Sequence, residues 1–258
     1  EKLTSKDTAK RHPLAEDILK AIVYLCPVYT NKELFELIDN TEFLNASLAM
    51  LRIIISKEEG MKSFIEHFKN IEVNNPIVSH LLESVISELI LNRKGYWRLS
   101  EVLASIIIRM EAYQIDLIWS ELIRRKSKDI ILYLHQEIRR YEEDKGEIEN
   151  ITEKLIFISL LLSSTNRYLR DMATKALVII GEKQPEKLFE VFDRLETIKD
   201  FYVLERLIAS ICGVFLRIDN KELLLKVCRY FEDNYFATLK TSHVLILDYI
   251  DTLLNYAM

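Results

Sequence analysis

Three segments place charged side chains inside otherwise apolar stretches: Arg167, Arg170 and Asp171 in NRYLRDMATKALV, Glu205 and Arg206 in YVLERLIASICG, and Asp248 in HVLILDYIDTLL. Residues four apart on a helix share a face, so Arg167 faces the side of Asp171, and Tyr202 that of Arg206. If the three segments are equivalent helices lying side by side, an acid of one meets an arginine of the next. These six residues therefore form a candidate ion-pair ladder that fixes the register of neighbouring helices. As buried pairs, each would cost about 3–5 kcal/mol to break. The rival chemistry is a catalytic or ligand-binding constellation of Arg170, Asp171, Glu205 and Asp248, since clustered charges perturb one another's protonation. The ladder is the preferred reading, and no catalytic residue is assigned.

Other chemistry finds little support in the spacing. A loop that cradles phosphate needs closely spaced glycines so that backbone N–H groups converge on the anion, and no two of the five glycines lie within thirty residues of each other. His12, His67, His80, His135 and His243 are scattered, without a second histidine or cysteine at ligand spacing, so no metal site is expected. There is no nucleophile elbow. A hydrolase site dispersed along the chain remains a third reading, and no cofactor is implied.

Two further groups are candidates for a contact surface. Arg124, Arg125, Arg139 and Arg140, with Lys126 and Lys128, would make a basic stripe for phosphates if their helices pair. Glu121, Asp129, Glu137, Glu142, Glu143 and Asp144 interleave with them, which favours a mixed, solvated face. Tyr133 and Tyr141 nearby are read as packing residues. Tyr96, Trp97 and Arg98, with Trp119, are residue types typical of interface anchors, although both tryptophans have apolar neighbours at helical spacing and core packing is the favoured explanation.

The elements that must position these residues are helices. Five glycines and four prolines in 258 residues are too few breakers for the tight turns of an antiparallel β protein. Hydrophobic residues make up 49% and charged residues 29%, a balance suited to packed amphipathic helices. Starts are expected at Pro13, Asn31, Thr41, Gly60, Asn75-Pro76, Ser100 and Pro185, and stops at Cys26-Pro27, Gly146 and Gly181. Roughly a dozen helices with short loops result, and short loops force sequential neighbours to pack antiparallel. In the second half the motifs recur at about 35 to 42 residues, a HEAT-like period. The expected architecture is all-α, with antiparallel helix pairs stacked as a HEAT-like right-handed α-solenoid. The boundary between N-terminal repeats (1–145) and C-terminal repeats (146–258) is placed near 143–150, unless the solenoid is continuous.

The net charge of −5 gives no global field for nucleic acid or anionic membranes. Cys26, Cys212 and Cys228 sit in apolar patterns without CxxC spacing, which suggests buried, reduced thiols and a cytoplasmic protein. No apolar run reaches a membrane span of about 20 residues. The chain begins at Glu1 rather than Met, consistent with a fragment.

The strings SSTNRYLRDMATKALV, DFYVLERLIASICGVFLR and SHVLILDYIDTLLNYA resemble a pattern in the helical C-terminal regions of bacterial STAND-type NTPases, antiviral ones included. The resemblance covers about 163–257. It rests on Asn166, Leu169, Arg170, Asp171, Ala173, Thr174, Ala176 and Leu177, then on Asp200, Tyr202, Val203, Glu205, Arg206, Gly213, Leu216 and Arg217. The third string departs, with Ile246 where the pattern has arginine. The resemblance implies a sensor and scaffold region of a larger defence NTPase that binds a protein target, such as a phage protein. It supplies no nucleotide-binding motif within this chain. The alternative from another class is a HEAT-like nucleic-acid-binding domain using the Arg124–Arg140 face.

Overall fold

In a computed structural model of the chain, the residues described are 62, 65–75, 78–91, 98–146, 149–236 and 243–257. Among them the regular structure is helical throughout, with no strand. The helix starts expected at Pro13, Asn31, Thr41 and Gly60 lie outside the described residues. Among the described residues, the α-helices from Val78 onward are α1 (Val78–Leu91), α2 (Leu99–Ile107), α3 (Ala112–Gln114), α4 (Glu121–Arg125), α5 (Ser127–Glu142), α6 (Ile151–Leu160), α7 (Arg167–Gly181), α8 (Pro185–Leu195), α9 (Phe201–Phe215), α10 (Lys221–Phe231) and α11 (Val244–Ala257). The chain falls into two compact units, Glu1–Ile106 and Ile107–Met258. The positions 143–150, expected as a possible boundary, fall by number within the second unit.

In the first unit, α1 buries Leu81, Leu82, Val85, Ile86 and Leu89, the stripe its spacing implies. Ser100, expected to cap the next helix, is instead fully buried within α2, which begins at Leu99.

In the second unit, the helix expected over IDLIWSELIRRK is interrupted by a π-helical stretch, Ile115–Ser120, between α3 and α4. Its wide turn points Trp119 and Ser120 inward. The Trp119 indole N–H donates to the Leu160 carbonyl at 2.8 Å, and the Ser120 hydroxyl to that of Ser163 at 3.0 Å. The acceptors belong to α6 and the short 3₁₀ turn that follows it, Leu161–Ser163. This segment is the apolar run LIFISLLL, and its residues are buried from Lys154 through Ser164. A helix apolar all round, too short to span a membrane, is a core helix. No helix of the described residues is long and apolar enough to cross a membrane.

Around α6 the remaining helices fall into two sets. α5 packs on α7, α7 on α9 and α9 on α11, while α6 packs on α7 and α8, α8 on α9, and α10 on α11. Local signals start the first set. Asn166 accepts from the Tyr168 and Leu169 amides, and Asp200 from that of Tyr202 at 2.9 Å, each side chain satisfying donors that the first turn leaves unpaired. α5 ends where Asp144 turns left-handed at φ 54 and the Lys145 amide bonds the Arg140 carbonyl, a Schellman-type close. In the other set, Phe192 of α8 lies 5.4 Å from Phe231 of α10, and Phe189 meets Tyr230 edge-on at 5.1 Å.

Contacts between successive helices of the first set recur at a near-constant sequence offset. His135 bonds Tyr168 across α5 and α7, an offset of 33. Asp171 bonds Arg206 and Glu182 bonds Arg217 across α7 and α9, both at 35. The Cys212 thiol bonds the Tyr249 carbonyl across α9 and α11, at 37. Two contacts at the same offset and about three turns apart require α7 and α9 to run parallel and in register. Gly213 permits their close approach, since a Cβ there would sit 3.2 Å from a Val178 methyl.

Candidate functional site

The in-helix charges lie along this row. Asp171 of α7 meets Arg206 of α9 at 3.2 Å and Arg167 of its own helix at 3.7 Å. Glu205, the neighbour of Arg206, stands 3.7 Å from His243, just ahead of α11, a contact that is ionic when the imidazole is protonated. Two expected members stand apart. The Arg170 guanidinium donates to the Ser164 carbonyl at 2.6 Å and lies over the Tyr202 ring at 5.4 Å, with its Nε buried and unbonded. It ties the α7 start to α9 through a backbone carbonyl and a ring, and its charge also favours the ionised carboxylate of Asp200 at the α9 cap. Asp248 is exposed on α11 with no cation beside it among the described residues.

The rungs are also more open than a buried ladder would be. The Asp171 side chain is 48% exposed and Arg206 28%, so solvent screening lowers the worth of the rung to about 0.2–1 kcal/mol. Three rungs of the row were not among the six residues singled out from sequence: Glu182 with Arg217 at 2.8 Å, Lys175 of α7 with Glu142 of α5 at 3.1 Å, and Lys183 with Asp144 just past the ends of α7 and α5. The repeated spacing of 35 between acid and arginine was the available signal for the first of them.

A buried pair exists elsewhere. Glu137 of α5 and Lys154 of α6 are 3.2 Å apart, with side chains 0% and 1% exposed. Arg140, 40% exposed, reaches the other Glu137 oxygen at 3.2 Å, and Lys154 lies 5.4 Å from the centre of the Tyr141 ring. Glu137 therefore does not belong to the solvated face expected for it. Its position gave the clue: Ile130, Tyr133, Leu134, Glu137, Ile138 and Tyr141 are one buried stripe of α5, and Ile151, Lys154, Leu155 and Ile158 one of α6. Tyr133 and Tyr141 are core residues.

Three arginines of the basic stripe are paired with carboxylates of their own segments. Arg124 makes two bonds of 2.7 Å to Glu121, Arg139 one of 2.7 Å to Glu143, and Arg140 is held by Glu137. Lys145 and Arg139 together pull the Glu143 carboxyl down to about 2. Arg125 is exposed and acts on Glu121 through its charge alone. Of the aromatic anchors, Trp119 is fully buried and belongs to the core rather than to a contact surface. Arg98 is exposed in the first unit, and Tyr96 and Trp97 lie outside the described residues.

The residues that present apolar surface are different ones. Tyr168 and Tyr202, each the second residue of its helix, are 52% and 62% exposed, and Phe201 stacks on His243 with centroids 5.8 Å apart. Leu245, the second residue of α11, is likewise exposed. None of the rival constellation of Arg170, Asp171, Glu205 and Asp248 lines the groove described next. A groove of about 590 Å³ runs elsewhere, along α10 past Leu223, Lys226 and Arg229 to Glu186 of α8. The two described cysteines are buried, and burial pushes the Cys212 thiol up to about 12. No family model, curated protein or solved structure matches the chain.

Proposed function

We propose that this chain is a non-catalytic helical-repeat module that recognises a protein, with α5, α7, α9 and α11 as equivalent helices of a HEAT-like right-handed solenoid. The observation behind the reading is the near-constant offset between contacting residues of those helices, 33, 35, 35 and 37. Stacked repeats of that period present one extended surface built from equivalent positions. Tyr168 and Tyr202, 34 residues apart, occupy one such position, and exposed aromatics of this kind serve as interface anchors. The resemblance of 163–257 to the sensor region of STAND-type NTPases extends the proposal: the module reads a target, such as a phage protein, for a larger cytoplasmic defence NTPase.

Affinity capture with the full chain from phage-infected and uninfected cells tests this. A protein specific to infected cells should be retained by the wild type and lost when Tyr168→Glu and Tyr202→Glu are combined. Equal capture from both cell populations, or capture indifferent to the two substitutions, refutes the sensor reading. The family proposal also requires a P-loop NTPase in the same gene product, and a complete gene without one refutes it. Carboxylates hold Arg124, Arg139 and Arg140, so nothing in the arrangement favours the nucleic-acid alternative.

A further inference from the structure

We draw no further inference here: the strongest candidate, the groove along α10 that reaches Glu186 of α8, is lined by two acids, Glu186 and Glu222, and two cations, Lys226 and Arg229, whose charges balance and so select no occupant, and nothing in the structure shows what covers it.

Discussion

Lys154→Met should unfold the second unit far more readily than any loss from the exposed ladder. The ammonium is 1% exposed, 3.2 Å from a Glu137 carboxylate that is itself fully buried. Removing one partner of such a pair costs about 3–5 kcal/mol, because the remaining charge stays desolvated. Arg140 still reaches Glu137 at 3.2 Å from a partly exposed position, which places the loss at the lower end, about 3 kcal/mol. For a unit of this size that is a fall in Tm of about 6–12 °C. In a Trp97→Phe background, Trp119 is the sole tryptophan and reports from the core of that unit. Urea unfolding followed by its fluorescence should show a lower midpoint with an unchanged slope. The double variant Glu137→Leu, Lys154→Met should recover most of the loss, since a well-packed apolar pair replaces a buried ion pair at little cost. A single-variant loss below about 1 kcal/mol, or a double variant as unstable as the sum of the singles, refutes this account of the pair.

Asp171→Ala should cost only about 0.2–1 kcal/mol, because its rung to Arg206 is half-exposed; a loss above about 2 kcal/mol by the same assay would show the rung to be screened from water. The Glu143 carboxyl, drawn from its ordinary 4.5 to about 2 by Lys145 first and then Arg139, should titrate near 2 in carboxyl-resolved NMR. Because the folded value is the lower one, its contribution is complete above about 4.5 and is lost as pH falls from there toward 2; a titration at the ordinary value in the folded chain contradicts this. Cys212, buried and pushed up to about 12, should resist iodoacetamide at mildly alkaline pH until urea unfolds the chain, since the thiolate is the reactive form; peptide mass spectrometry that finds it alkylated in the native protein would place it at the surface.

Much of the second unit is legible in the sequence because its signals are local. Pro185 opens α8, Gly181 ends α7, and apolar residues at helical spacing define the stripes of α7 and α9. Spacing also brought Asp171 and Arg206 into one candidate set, since equivalent residues of parallel helices recur with the period of the chain. What sequence could not settle was the side each helix turns to its neighbours. Glu137 reads as one more charge in a run of charges until α6 covers its stripe and brings the buried Lys154 to it. Spacing favours the core for Trp119 over a contact surface, and a π-helical turn and the Leu160 carbonyl place it there. Asp248 matched Asp171 in position, yet no helix lies beyond α11 among the described residues to supply its cation. Capping and periodicity depend on neighbours in the chain, whereas burial and pairing depend on residues 17 to 43 positions away, and only packing brings those together.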